Sequence, residues 1–174
     1  AVPENIKQDI RFAHEQVHGF AKLQRDSIQE FEKETLPGVR LGQRIIPMEV
    51  AGCYIPGGRF AHACSALMSV ATAKAAGVET VIACSPPRGE SIAPAVIYAL
   101  DVAGADIIML DNMNPSKMRK AVEFVDGRAR TEASGNLDLD TIRTAATAGV
   151  DYVSVGAITH SARSVDIAMD META

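Results

Sequence analysis

Two short segments in the last third of the chain combine residue types suited to holding an anion. Ser134-Gly135-Asn136 and Gly156-Ala157 each close a candidate strand. At such a turn the exposed backbone N–H groups carry partial positive charge, and glycine lets a phosphate oxygen come close to the chain. Asp138 or Asp140 can cap the helix that follows the first turn. The plainer alternative is that both glycines only serve tight strand-to-helix turns. Asp111 ends another candidate strand and can act as a cap ahead of Asn114-Pro115. Glu132 lies inside a strand, with Arg130 as a basic partner.

The remaining reactive side chains form no set. His14 and His18 are four residues apart, but no carboxylate or cysteine completes a zinc site, so no metal is expected. Cys53, Cys64 and Cys84 show no CxxC spacing and no paired base. They read as small buried apolar residues, reduced in a cytoplasmic setting. Ser65 lies near His62 and Ser161 near His160, yet no G-x-S-x-G elbow or third partner makes a triad. No catalytic residue is assigned.

The elements that must position these residues follow from hydrophobic rhythm. Ile6, Ile10, Val17, Phe20, Leu23, Ile28 and Phe31 recur at helical steps, which predicts a helix over residues 4–35, stopped by Leu36-Pro37-Gly38. His14 and His18 then sit on it as surface or flank residues. Beyond it, short apolar runs alternate with Ala-rich ones. Strands are predicted at 50–55, 80–84, 106–110, 128–133 and 152–155, and helices at 63–76, 91–103, 115–125, 138–148 and 161–169. Gly77, Gly104, Gly127 and Gly149 recur at intervals of 27, 23 and 22 residues, each where a helix C′ residue turns left-handed before a strand. Strands alternating with helices imply a parallel sheet covered on both faces. Five units are too few for an eight-stranded barrel, which needs roughly 200 residues or more. The expected fold is therefore α/β: an open, five-stranded, doubly wound parallel sheet, flavodoxin-like or Rossmann-like, behind a long N-terminal helix. Ligands of such a sheet bind at the carboxyl ends of its strands. Those ends are Pro56-Gly57-Gly58-Arg59, Ser85-Pro86-Pro87-Arg88-Gly89, Asp111-Asn112, Ser134-Gly135-Asn136 and Gly156-Ala157.

Composition narrows the function classes. The chain has 174 residues, a net charge of −5 and 47% apolar residues, which suits one globular domain. A pI near 5.4 without a basic, aromatic-interleaved patch argues against nucleic acid. No stretch reaches ~18 uncharged apolar residues, which argues against a membrane span. The first residues, Ala1-Val2-Pro3-Glu4-Asn5, lack the basic and apolar regions of a secretory signal.

Two family resemblances divide the chain. Gly38-Val39-Arg40-Leu41-Gly42-Gln43-Arg44, Cys53-Tyr54-Ile55-Pro56-Gly57-Gly58-Arg59, Ser65-Ala66-Leu67-Met68, Ala73-Lys74-Ala75-Ala76-Gly77-Val78 and Cys84-Ser85-Pro86-Pro87 resemble the histidinol dehydrogenase family, in its sulfopropanediol dehydrogenase-like branch, over about residues 1–109. That resemblance implies that Tyr54 lies in a nicotinamide-cofactor site. The sequence then departs from the family. Where a GGAQA-type segment with a second cofactor-binding Gln should stand, it reads Leu110-Asp111-Asn112-Met113, and the family's zinc ligands and Glu-His bases do not follow. From about residue 99 the chain instead resembles quinolinate phosphoribosyltransferase, through Ile107-Ile108-Met109-Leu110-Asp111-Asn112-Met113, Glu132-Ala133-Ser134-Gly135-Asn136 and the run Gly149 to Ser161. This second resemblance implies ribose contact for Asp111, phosphate contact for Ser134, Gly135, Asn136, Gly156 and Ala157, and a nearby place for His160. The family's quinolinate-binding segments find no match.

The sequence thus reads as an engineered chimera joined in Ala103 to Met109, forming one domain: an N-terminal helix to residue 38, dehydrogenase-derived units over 39–105 and transferase-derived units over 106–174. Its expected function is that of a recombined scaffold without native catalysis, keeping at most a vestigial phosphate site. The alternatives are an NAD-binding dehydrogenase fragment or a phosphoribosyl-phosphate-binding fragment. Expected ligands are phosphate, sulfate or a phosphorylated small molecule, with no NAD, nucleic acid or membrane, in a monomer or homodimer.

Overall fold

In the computed structural model, residues 2–57, 60–86 and 92–161 are described. Helix α1 spans Glu4–Ser27. Strands β1 (Phe31–Leu36) and β2 (Val39–Gln43) follow as an antiparallel hairpin. The sheet strands are β3 (Val50–Tyr54), β4 (Thr80–Ser85), β5 (Ile107–Asp111), β6 (Arg130–Ser134) and β7 (Tyr152–Val153). Between β3 and β4 one rod comprises α2 (Ala63–Ala66), a π-helical turn (Leu67–Ala71) and α3 (Thr72–Ala75). Then come α4 (Pro94–Ala103), α5 (Pro115–Val125), α6 (Ile142–Ala146) and α7 (Ala157–His160).

The α/β class, the five-stranded parallel sheet and the long N-terminal helix are as the sequence leads one to expect. The winding is not double. The strands lie in the order β3-β4-β5-β6-β7, with no reversal. A flavodoxin-like or Rossmann-like sheet needs a reversal to put helices on both faces, whereas right-handed crossovers in sequential order keep them on one. Burial agrees. Val81, Ala83, Ile108, Leu110, Thr131 and Ala133 are buried, while alternate residues such as Ile82, Met109 and Glu132 are only half-buried. The buried face meets Leu67, Val70, Val96, Ile97, Leu100, Met118, Ala121 and Val125 in one core. Helix α1 adds a further layer on α3, the π turn and α4, burying Ile10 and Ala21, and Arg11 donates to the Tyr98 hydroxyl at 2.6 Å.

Each interstrand glycine does what its place demands. Gly77, Gly104, Gly127 and Gly149 all have positive φ, from 69° to 92°. Two aspartates then tie neighbouring strands at their N-terminal ends. Asp106 Oδ2 accepts from Val81 N at 2.7 Å and from Lys74 Nζ at 2.6 Å. Asp151 Oδ2 accepts from Thr131 N at 2.7 Å and from Thr131 Oγ1 at 3.0 Å.

The expected helix over 4–35 ends instead at Ser27, where Ile28 turns extended. The apolar spacing runs on through Ile28 and Phe31, but 31–43 also alternates with period two, and Pro37-Gly38 makes a hairpin turn rather than a helix stop, with Gly38 at φ 78°. The expected helix over 161–169 lies almost wholly outside the described residues, as do Gly58, Arg59, Pro87, Arg88 and Gly89.

Candidate functional site

The two glycine turns meet at one end of the sheet. Ser134 closes β6 in register with Asp111 of β5. The chain then needs a left-handed residue: Gly135 has φ 94°, and a Cβ there would stand 2.5 Å from the Asn112 side chain. Asn112 and Asn136 also have positive φ, 52° and 51°, a conformation asparagine tolerates better than most residues. Asn136 Nδ2 donates to Asn112 Oδ1 at 2.8 Å, and Asn112 Nδ2 donates to Asp111 Oδ1 at 2.8 Å. Asn112 N donates to Ser134 O at 2.9 Å. These bonds fix the ends of β5 and β6 to each other.

The second turn follows β7, which Ser154 N anchors to Ala133 O at 2.9 Å. Gly156 faces His160 so closely that a Cβ on residue 156 would sit 3.0 Å from His160 Nε2. Together Ser134, Gly135, Asn136, Gly156, Ala157 and His160 line a cleft of about 490 Å³, with Leu137 and Asp138. Among the described residues, no carbonyl or side chain accepts from the N–H groups of Gly135, Asn136, Gly156 or Ala157. Free donors on an open surface can take anion oxygens. Asp138 brings the one carboxylate among the described residues of the lining. Its Oδ1 accepts from Thr141 Oγ1 (2.7 Å), Thr141 N (2.9 Å) and Asp140 N (3.1 Å), and those bonds, led by the Thr141 hydroxyl, hold it below the usual carboxylate range. Asp138 therefore serves the turn into α6, as a capping residue should.

The other sequence candidates fall elsewhere. Asp111 is half-buried at the end of β5, joined to the cleft through Asn112. It is not the cap ahead of Pro115; Asn114 is, accepting from Lys117 N at 3.0 Å. The partner of Glu132 is Ser154 and not Arg130, whose guanidinium meets the Tyr152 hydroxyl instead. In a parallel sheet, Glu132 and Arg130 lie on the same face, but each reaches sideways to the next strand. Tyr54 is 64% exposed on edge strand β3, at the opposite side of the sheet from β7. Of the cysteines only Cys53 is buried; Cys64 is exposed and Cys84 half-buried. Burial first, then Asp111 and Cys53, raises the Cys84 thiol. His14 and His18 are half-buried on α1 and meet edge to face at 5.3 Å. Burial, then the neighbouring imidazole, lowers His14. His160 Nδ1 lies 2.7 Å from Ser161 Oγ, with no carboxylate behind it among the described residues. Among those residues no group of three His, Cys, Asp or Glu can hold a metal ion, and no helix is long and apolar enough to cross a membrane. Sequence reasoning missed the bridging role of Asn112. The available signal was a pair of asparagines, 112 and 136, each beside a strand end.

A wider cleft of about 800 Å³ opens at the N-terminal ends of the strands. Its acids are engaged: Asp106 and Asp151 as above, and Asp101, whose Oδ2 accepts from Arg128 Nη1 at 2.7 Å. Its acids hold the strand and helix ends together.

Residues 1–110 match the family described as histidinol dehydrogenase. Residues 62–170 match the C-terminal domain of quinolinate phosphoribosyl transferase. The segment 62–110 falls within both, so the second match begins well before the residues that suggested it. A sulfopropanediol 3-dehydrogenase of Ruegeria pomeroyi is 53% identical over 109 residues, covering 62% of this chain and 25% of that protein. A histidinol dehydrogenase homolog of Pelagibacter ubique is 50% identical over 108 residues, covering 61% and 25%. Among solved structures, a NadC deletion mutant superposes with a TM-score of 0.51 at 34% identity, covering 66% of this chain and 39% of that one. The nicotinate-nucleotide pyrophosphorylase of Francisella tularensis gives 0.50 at 29% identity, covering 66% and 38%. The chain thus spans about a quarter of its curated relatives and under two fifths of these structures.

Proposed function

Because the chain belongs to the histidinol dehydrogenase family over residues 1–110 and to the quinolinate phosphoribosyl transferase C-terminal domain family over residues 62–170, we propose that this chimera is an engineered recombination of two parents. It acts as a folded scaffold without either parent's turnover, and its retained function is to bind phosphate, free or on a small molecule. The observation that carries this reading is the convergence of both glycine turns on one cleft whose backbone donors have no described acceptor. A tetrahedral anion there would take N–H groups from Gly135, Asn136, Gly156 and Ala157, with Ser134 and His160 at its sides. Asp111 would face the ribose of a phosphoribosyl ligand.

Catalysis demands more than binding. Proton transfer needs groups within hydrogen-bond reach of the reacting atoms. Among the described residues, the one carboxylate of this cleft is tied into a turn and His160 has no orienting acid. NAD is not a ligand on this reading, since Tyr54 lies on the edge strand farthest from the cleft. Calorimetry with inorganic phosphate, run beside assays with histidinol plus NAD and quinolinate plus phosphoribosyl pyrophosphate, tests both halves. Saturable phosphate binding with no turnover is expected. Turnover of either substrate overturns the scaffold reading, and absence of binding at millimolar phosphate overturns the site.

A further inference from the structure

Helix α1 docks on the core through one narrow stripe, and two members of that stripe are imidazoles. Ile10, Ala13, His14, Val17, His18 and Ala21 share one face at helical spacing and are buried or half-buried, while every residue over 22–27 is exposed. Ala13 and Val17, beside the two histidines, pack against the core cluster. The rings of His14 and His18 meet edge to face with centroids 5.3 Å apart. His18 Nε2 is buried with no hydrogen-bond partner among the described residues. A neutral imidazole can leave one nitrogen as an unused acceptor. An imidazolium makes both nitrogens donors, and a buried charged donor without a partner is costly.

Among the described residues, the surroundings hold no free acid to balance such a charge. On α1 the pair stands between Arg11 and Lys22, each about one turn away, and the adjoining carboxylate, Glu15, is exposed. Of the elements packed on α1, α4 brings Tyr98, whose hydroxyl accepts from Arg11 at 2.6 Å, and Asp101, which accepts from Arg128 Nη1 at 2.7 Å. Helix α3 brings Lys74, a cation already bound to Asp106. The π-helical turn has no titratable side chain, and α2 offers the thiol of Cys64. We propose that the His14–His18 pair is an acid-sensitive latch: α1 stays docked while both imidazoles are neutral, and it lifts from α3, the π-helical turn and α4 when they take up protons below about pH 6. Two imidazoliums at this spacing repel each other, and leaving the stripe hydrates both. The sign follows from His14, which burial, then His18, holds below its ordinary value against a smaller pull from Glu15. The undocked helix binds protons more readily, so docking is full above the ordinary histidine value of about 6.5 and is lost as pH falls through the lowered one.

Amide hydrogen exchange of the whole chain at pH 7 and pH 5, read by NMR and corrected for the intrinsic rate, tests it. Protection at Val17, His18 and Ala21 should fall at least tenfold at the lower pH, while Val81 and Ile108 in the sheet keep theirs. The ring Cε1–H shifts of His14 and His18, followed on the same samples, should titrate together with that loss. Replacing both residues, His14→Leu with His18→Leu, should keep α1 protected at pH 5. Protection of α1 that is the same at both pH values overturns the proposal. So does a loss that persists in the double variant, or one that the sheet shares in step. Ring titration and helix opening at different pH values overturn it in the wild-type chain alone, whether or not the double variant folds.

Discussion

The two ends of the parallel sheet are built from the same strands and differ in what becomes of their polar groups. At the N-terminal end, Asp106 and Asp151 reach across to the N–H of Val81 and of Thr131, so donors and acceptors cancel. At the C-terminal end, side chains bond mainly to one another, Asp111 to Asn112 to Asn136, and the N–H groups of the two glycine turns are left over. One end spends its polarity on holding strands together, and the other holds unspent donors in a fixed arrangement. Volume marks where surface is concave; unmatched donors mark where an anion can be held.

Substitutions at each end sharpen this contrast. The largest loss of stability should come from Asp106→Ala, which strips the acceptor from the fully buried Val81 and the partner from Lys74. It should cost about 2–3 kcal/mol in urea unfolding and leave phosphate affinity unchanged. A cost under about 0.5 kcal/mol would contradict the closing role of that end. Gly135→Ala should cost less, about 1–2 kcal/mol, because it forces a Cβ into a left-handed position against Asn112. It should also weaken phosphate binding at least tenfold, the reverse of the Asp106 pattern.

A smaller effect concerns acid. The Thr131 backbone N–H, followed by the Thr131 hydroxyl and Arg130, holds Asp151 below the usual carboxylate range. Its ionised form is the one the fold prefers, so its contribution is full above the unfolded value of about 4 and is lost as pH falls through the lowered one. Asp151→Asn should therefore narrow the stability difference between pH 6 and pH 2, measured by thermal unfolding. An unchanged acid slope would show the bonds to Thr131 to be energetically idle. The mildest change is Asp138→Asn, which removes a negative charge from the cleft. Phosphate affinity should rise about threefold at low salt, with the gain fading in high salt.

Much of this was legible in the sequence, for local reasons. A glycine before a strand reports a left-handed residue at the helix end, and Gly77, Gly104 and Gly149 adopt it, while after α5 Asp126 turns left-handed first and Gly127 follows. The strands, most helices and the meeting of both glycine turns in one cleft followed from that punctuation and from family resemblance. Strand order did not, because apolar runs say that a strand is buried but not which neighbour it meets. The hairpin was hidden by Ile28 and Phe31, which fit a helical period and an extended one equally well. The partner of Glu132 was likewise out of reach: Ser154 is near only because β7 lies beside β6. Register across a parallel pair is a tertiary fact.

The central claim is that two turns from different strands make one anion site on a scaffold that does no chemistry. An amide NMR titration of the whole protein tests it most directly, with phosphate and phosphoribosyl pyrophosphate in one series and NAD in another. Saturable shifts confined to Ser134, Gly135, Asn136, Gly156 and Ala157 with the first two ligands, and none with NAD, are predicted. Dispersed resonances that ignore phosphate at both turns, or shifts around Tyr54 with NAD, would contradict it.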